Sequence, residues 1–405
     1  MQEAGYSAQL VGGCVRDLLL GLEPKDFDVV TDAHPEQIRA LFRSARLIGR
    51  RFRLAHVHFG REIIEVATYR ANPDTRPNAG EDDPVDANIF GTQEQDAHRR
   101  DFTVNSLYYD AETREIVDYV GGVADLKRGL LRVIGDPEER YREDPVRMLR
   151  AVRFAARLGF RLEPATAKPL PELASLLEAV SPARLFEEIL KLFQSGYAVA
   201  TYELLRQYGL FRYLFPLTEE ALAHEQDGFP VTLLTRALAS TDKRVQEDKP
   251  ITPAFLFAAL LWPPVRERAQ RRIAQDGKSY EAWMSAADFV VREQLRSISI
   301  PKRFSMPMRE IWEMQTRFAR RNGRHAFRLF DNKRFRAAYD FLVLRAEAGE
   351  ADPELARWWT EFQTADSDTR EQMVQAVAAP NDEAAPAKRR RRRRRRRGAG
   401  PGPAA

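Results

Sequence analysis

The stretch Leu10–Asp28 constrains this chain more than any other. It runs Leu10-Val11-Gly12-Gly13-Cys14-Val15-Arg16-Asp17, then an apolar helical segment Leu18–Leu20 and Gly21, then Lys25-Asp26-Phe27-Asp28-Val29-Val30. The pattern predicts a buried strand, a two-glycine turn, a short helix and a second strand. Two glycines let the backbone approach a bulky anion closely. The helix N-terminus turns free N–H groups toward the same place. Arg16, in the first turn of that helix, can reach the anion with a planar fork of donors. On the second strand, period two puts Asp26 and Asp28 on one face. Paired carboxylates beside an anion cradle suit Mg²⁺, which takes oxygen ligands and keeps substrate phosphates in its shell. Alone, an Asp-x-Asp is more often a solvated edge, and a Gly-Gly more often a plain turn. Joined in one strand–turn–helix–strand unit, they point to metal-assisted phosphoryl or nucleotidyl transfer.

At 405 residues the chain has room for roughly two to four domains. The formal net charge is +5, but Lys388 and the run Arg389–Arg397 outweigh that excess, so the remaining body is slightly acidic. The single cysteine, Cys14, excludes an internal disulfide and suits a reducing cytoplasm. No apolar run approaches the ~20 residues of a spanning helix, so stable membrane insertion is not expected. Met1–Gln9 lacks the charged and apolar regions of a signal peptide. The first strand begins so early that a preceding helix is expected to be missing from this N-terminus.

Pro35 suits a helix start, and Ile38, Leu41 and Phe42 give that helix an apolar stripe. Arg50, Arg51 and Arg53 form a basic turn, open between phosphate contact and plain exposure. Ala55–Phe59 and Glu62–Thr68 read as a hairpin turning at Gly60-Arg61. Glu65 lies mid-strand: facing inward it joins Asp26 and Asp28, facing outward it is solvated, and both readings stand. Asn72–Asn88, rich in Pro, Asp, Asn and Gly, reads as a mobile loop. Ile116–Val120, Gly121-Gly122 and Asp125-Leu126 predict a strand, a tight turn and a helix. From Pro137 the pattern turns helical. Arg147, Arg150 and Arg153 fall on one helix face, with Met148, Leu149, Val152 and Ala155 opposite, and Asp144-Pro145 marks the start. Arg184, Glu187 and Lys191 have the spacing of an ion-paired brace. Trp262-Pro263-Pro264 ends a helix. Arg309, Arg317, Arg320, Arg321 and Arg324 alternate with Trp312 and Phe318 in a region suited to RNA, with the aromatics read as core. Beyond about Val377 the composition cannot bury a core. The arginine tract there is either a phosphate-binding arm or a solubilising tail.

Leu10–Asp17 with Lys25–Asp28 resembles the opening motif of the class II nucleotidyltransferases, the bacterial poly(A) polymerases and the tRNA CCA-adding enzymes. Arg99-Arg100-Asp101-Phe102-Thr103 matches a second motif, and Glu143-Asp144-Pro145-Val146-Arg147-Met148-Leu149-Arg150 a third. Asp118 and Gly122 resemble the marks of a motif closing the catalytic head. Pro182–Lys191 is similar to the last shared motif. Leu47–Val57 resembles the signature that separates poly(A) polymerases from CCA-adding relatives. The resemblance implies that Gly12, Gly13, Arg16 and Arg100 hold the triphosphate and that Asp26 and Asp28 hold Mg²⁺. It implies that Asp101 is a catalytic acid, with Glu65 a rival for the third carboxylate and Asn105 a support. It implies that Asp144 and Arg147 read the base edge, supported by Arg150.

The expected fold is an α+β nucleotidyltransferase head, a mixed β-sheet with flanking helices, followed by all-α neck, body and tail. The expected boundaries are a head at 1–135, a base-selecting neck at 136–200, an RNA-binding body and tail at 201–376, and a disordered arginine-rich end at 377–405. The expected activity is template-independent addition of AMP from ATP to RNA 3′ ends with release of pyrophosphate. Expected partners are ATP, the 3′ ends of messenger, regulatory and decaying RNA, and RNA-decay machinery, in the cytoplasm. The alternatives are a tRNA CCA-adding enzyme and a non-catalytic RNA-binding protein on a decayed transferase fold. The Asp26/Asp28 pair and Arg100-Asp101 are intact, which argues against decay. No histidine precedes an aspartate, so a His-Asp phosphohydrolase appendage is absent.

Overall fold

The computed structural model of the chain describes residues 1–49, 53–71, 90–223 and 232–378. Arg50 and Arg51, the segment Asn72–Asn88 and the arginine tract lie outside these residues. A mixed seven-stranded sheet has the order β3-β4-β5-β2-β1-β6-β7. Its strands are β1 (Gln9–Val11), β2 (Asp28–Thr31), β3 (Ala45–Ile48), β4 (Leu54–Phe59), β5 (Glu62–Thr68), β6 (Leu107–Asp110) and β7 (Glu115–Asp118). Within this sheet only β2 and β5 pair in parallel, with Asp28 in register with Glu65. β1 runs antiparallel to both β2 and β6, placing the start of β2 beside the end of β1. Helices α1 (Gly13–Leu19), α2 (Pro35–Leu41), α3 (Gln93–Arg99) and α4 (Gly122–Arg128) flank it. Val11, Val30, Tyr69, Ala97 and Tyr108 pack together in the sheet core. Cys14, Val15 and Leu107 form a second cluster, which seats α1.

The first helix begins at Gly13, directly after the turn, with Arg16 in its first turns as expected; Cys14 and Val15 are drawn into the core while Leu18 and Leu19 stay exposed. One local expectation changes. The strand begins at Asp28, so Asp26 precedes β2 instead of sharing a strand face with Asp28.

Asp118 explains the turn after β7. Its Oδ1 accepts from the amides of Val120, Gly121 and Gly122, and its Oδ2 from Val123. It therefore satisfies the free N–H groups at the start of α4. A Cβ on Gly122 would stand 2.3 Å from the carbonyl oxygen of Thr103 and 2.9 Å from Leu107 Cδ2. Gly122→Ala is thus expected to destabilise the protein by about 1–3 kcal/mol, the usual cost of overpacking. Thermal unfolding checks this, and an unchanged midpoint would refute the close approach.

After a two-residue strand β8 (Leu130–Leu131), the described residues are helical except for β9 (Arg161–Leu162), its parallel partner, and the connecting turns. The first helices are α5 (Pro137–Glu143), α6 (Val146–Leu158), α7 (Pro164–Ala167), α8 (Leu170–Leu173) and α9 (Pro182–Phe193). Met148, Leu149, Val152 and Ala155 of α6 are buried, as the periodicity predicts. Trp262-Pro263-Pro264 opens the helix Trp262–Asp276 as well as ending its predecessor, since proline lacks only an N–H that a first turn leaves unbonded.

The chain divides into two compact units, Met1–Glu313 and Met314–Ala405. In the first, Trp312 is buried and donates to the Ala258 carbonyl at 3.0 Å. In the second, Phe318, Phe335, Trp359 and Phe362 form the core, and Trp359 donates to the Phe318 carbonyl at 3.0 Å. Trp312 and Phe318 are therefore core residues. No helix among the described residues is long and apolar enough to cross a membrane.

Candidate active site

Gly12 ends β1 with φ +76°, a conformation open to glycine, and its amide donates to the Leu107 carbonyl at 3.0 Å. A Cβ there would meet Arg100 Nη1 at 3.5 Å, so this guanidinium already faces the turn. Arg100 is aimed by Asp96. Its Nε donates to Asp96 Oδ2 at 3.0 Å and its Nη2 lies 2.9 Å from the same oxygen. The Tyr108 hydroxyl donates to that oxygen at 2.9 Å, and Arg99 Nε donates to Oδ1 at 3.0 Å. Burial opposes ionisation of Asp96, but Arg100, Arg99 and the tyrosine outweigh it and hold the carboxyl below the usual range. Arg100 Nη1 makes no bond among the described residues and is left to donate toward Gly12.

Beside this turn stands Asp28. The residue reaches solvent, yet protein crowds its carboxyl. That desolvation, then the charge of Glu65, pushes its pKa up against the pull of Arg100, with Asp26 adding to the rise. Glu65 is half exposed and lies 3.2 Å from His56 Nε2 on β4. Two neighbouring carboxylates thus add to the desolvation of Asp28, with one guanidinium opposing them. No group of three or more metal-ligating side chains among the described residues could hold an ion unaided. Two carboxylates supplemented by phosphate oxygens are the usual shell of Mg²⁺. A divalent cation would offset both the desolvation and the like charge that oppose ionisation of Asp28, so the residues fit one.

Arg16 and Asp101 occupy different places from those the sequence suggested. Arg16 is buried rather than extended toward an anion. Its Nε and Nη2 donate to Asp17 Oδ1 at 2.8 and 2.6 Å, and its Nη1 to Asn105 Oδ1. Asn105 Nδ2 donates to Asp101 Oδ1 at 3.3 Å. Asp101 Oδ2 accepts from Arg150 through Nε at 2.8 Å and through Nη2. Arg157 Nη2 completes the set by donating to Asp17 Oδ2 at 2.9 Å. Arg150 and Arg157 lie two turns apart on α6, so the chain of contacts leaves that helix, crosses the head and returns to it. Phe154, between them, has the guanidinium carbons of Arg16, Arg150 and Arg153 within 5.4, 5.4 and 5.2 Å of its ring centre. Burial opposes ionisation of Asp101, but Arg150 and then Asn105 hold its carboxyl below the usual range.

The neck residues form a separate cluster. Asp144 Oδ1 accepts from the Val146 amide at 3.2 Å and its Oδ2 from Arg184 Nη2 at 2.7 Å. Arg147 Nη1 donates to Glu143 Oε2 at 2.7 Å and to the Arg140 carbonyl at 2.8 Å. Nε and Nη2 of Arg147 make no bond among the described residues. The expected brace of Arg184, Glu187 and Lys191 does not form. Lys191 pairs with Glu188 at 2.8 Å, and Glu188 also takes Arg153 at 3.1 Å. Glu188 faces inward toward α6, so it meets Arg153, while Arg184 turns to Asp144.

Sequence reasoning missed Asp96, Asp17, Arg140 and Arg157. Asp96 was findable, because it precedes Arg99 and Arg100 by three and four residues on one helix. Asp17 and Arg140 also have partners nearby in sequence, Arg16 and Glu143, but the contacts of Arg157 with Asp17 and of Arg140 with the Arg99 and Arg100 carbonyls cross long stretches of chain and leave no local signal.

A guanidinium facing a glycine turn, beside clustered carboxylates at one end of a mixed sheet, is the arrangement a nucleotidyltransferase head calls for. Three family models agree: the poly A polymerase head domain over residues 8–132, the "Probable RNA and SrmB- binding site of polymerase A" over 159–222, and the polymerase A arginine-rich C-terminus over 275–397. The chain is 50% identical to poly(A) polymerase I of Escherichia coli over 400 residues, 96% of this chain and 85% of the relative. It is 48% identical to poly(A) polymerase I of Haemophilus influenzae over 384 residues, 93% and 85% of the two chains. It is similar in structure to the Bacillus stearothermophilus CCA-adding enzyme in complex with CTP, with a TM-score of 0.59 and 25% identity over 93% of this chain and 80% of that one. The chain belongs to the poly(A) polymerase I family.

Proposed function

We infer that this protein adds AMP from ATP to RNA 3′ ends without a template and releases pyrophosphate. The identity of about half the residues with poly(A) polymerase I, over nearly the whole chain, carries this reading. CCA-adding enzymes match at 36 to 38% identity, over only about half of this chain. An intact Asp28–Glu65–Arg100 arrangement speaks against a decayed, binding-only protein.

In this reading Gly12 and Gly13 let the triphosphate approach the backbone, and Arg100 Nη1 donates to its oxygens. Asp26 and Asp28 would hold Mg²⁺, with Glu65 the third carboxylate. A bound divalent ion supplies Lewis-acid polarisation of phosphoryl oxygens and lowers the pKa of the attacking hydroxyl. The rest of the work is in-line positioning and charge neutralisation by the protein. Asp101, Arg16 and Arg150 act as braces that fix α6 against the head, not as groups on the substrate. Arg147 offers its free Nε and Nη2 to the adenine edge, and Asp144 offers the remaining lone pairs of its carboxylate. The helical remainder would hold the RNA. The free, buried Cys14 thiol suits a reducing cytoplasm.

The direct test supplies each nucleoside triphosphate in turn with an RNA primer and Mg²⁺. ATP is expected to extend the primer far better than CTP, and equal use of both would refute the reading. Arg147→Ala is expected to lower the ATP over CTP ratio of kcat/KM by roughly 5- to 100-fold, the discrimination carried by one good bidentate base contact. RNA affinity should not change. A full ratio in that variant places base selection elsewhere.

A further inference from the structure

Arg140, on α5, stands between the two halves of the site. Its Nη2 donates to the main-chain carbonyls of Arg99 at 2.7 Å and Arg100 at 2.8 Å. These carbonyls lie at the C-terminal end of α3, where a helix leaves acceptors without partners. Its Nη1 donates to Glu143 Oε2 at 2.6 Å. That same oxygen takes Arg147 Nη1, and the Arg140 carbonyl accepts from that same nitrogen. The Arg140 side chain is only 12% exposed, and its buried Nε has no partner. A buried cation therefore spends its donors on joining the peptide that carries Arg100 to the carboxylate that carries Arg147.

We propose that Arg140 is a positioning residue that couples recognition of the base at Arg147 to placement of the triphosphate at Arg100. The proposal rests on the functional reading above. Arg147 and Arg140 share one carboxylate oxygen, so when a base edge draws Arg147, Glu143 and Arg140 settle together. Arg140 then fixes the Arg99–Arg100 peptide, from which the Arg100 side chain reaches toward Gly12. The correct base thereby improves the alignment of the phosphates as well as binding. Lysine cannot replace this arrangement, because a single ammonium lacks the rigid fork that serves two carbonyls and a carboxylate together. A plain brace would act differently: its loss would lower stability and slow every nucleotide by one factor.

The experiment uses the full chain and compares wild type with Arg140→Lys, Arg147→Lys and the double variant. Arg140→Lys is expected to lower kcat for ATP by roughly 10- to 100-fold, the range for losing charge-assisted hydrogen bonds. CTP should lose much less and the KM for RNA should not move. The double variant should lose little beyond the worse single variant, as coupled residues do. Equal losses for ATP and CTP, or losses that multiply in the double variant, overturn the coupling. A binding measurement separates this result from the activity itself. In wild type the affinity ratio of ATP to AMP should exceed that of CTP to CMP, and in Arg140→Lys the two ratios should converge. Equal ratios in wild type overturn the proposal even if the protein polyadenylates. Failure of wild type to add AMP overturns the functional reading, and the binding ratios still decide the coupling. Arg140→Gln repeats the test without the charge. If that variant does not fold, the lysine variant decides alone.

Discussion

Asp28→Ala is expected to leave a folded protein that still binds RNA but adds AMP roughly a thousandfold more slowly or worse, the rate equivalent of losing several kcal/mol of charge stabilisation. The expectation follows from position. Asp28 opens β2 beside the Gly12 turn, in register with Glu65, and its carboxyl is pushed up by crowding, first from desolvation and then from Glu65. Removing it should relieve repulsion, so thermal stability should hold or rise slightly. The loss should therefore appear in kcat with little change in melting. Single-turnover addition of AMP to a labelled primer, alongside a melting curve, measures both. Near-normal addition by Asp28→Ala would remove Asp28 from the metal-binding pair.

Asp101→Asn has the opposite signature. The ionised carboxylate is held by Arg150, Asn105 and the Phe102 amide, and it ties the head to α6. Breaking such a pair leaves an uncompensated cation, at a cost on the order of 3 kcal/mol, with the one-third exposure of Arg150 keeping it at the lower end. The pH dependence has a definite sign. The folded carboxyl lies below its unfolded value of about 3.9. Its stabilisation is therefore complete above that value and is lost as pH falls through the lower folded one. Wild type should lose this increment on acidification, and Asp101→Asn should have none to lose. At low temperature, where the variant is folded, it should keep activity within about tenfold of wild type. An unchanged melting point with activity lost by orders of magnitude would make Asp101 a catalytic acid instead of a brace.

The contrast between these residues shows what the sequence can and cannot reveal. The glycine turn, the Asp28 strand and the core face of α6 are local, set by neighbours within a few positions. The Asp118 cap is local too, whereas the close approach at Gly122 is to Thr103 and Leu107, well back along the chain. The place of Glu65 depended on strand register, which alternation alone left open between inward and outward. Arg16 has the position of a phosphate ligand, in the first turn after the glycines, but position does not show which way its side chain turns. The buried Asp17 beside it, itself held by Arg157, binds the guanidinium instead. Asp101 and Arg150 are 49 positions apart, and no periodicity links them. In the brace near Pro182, helical spacing favoured Glu187, but burial selected Glu188, because only the inward residue meets Arg153.

The central claim is that this chain polymerises AMP rather than completing a short tRNA end. The most direct test incubates the full-length protein with ATP and Mg²⁺ and either a general RNA primer or tRNA lacking its CCA end, and resolves the product lengths. The account predicts a ladder of successive AMP additions on the general primer, running well beyond the length of a CCA end, with no requirement for CTP. Inertness on the general primer, with CTP-dependent addition to tRNA that stops at a completed CCA end, would contradict it.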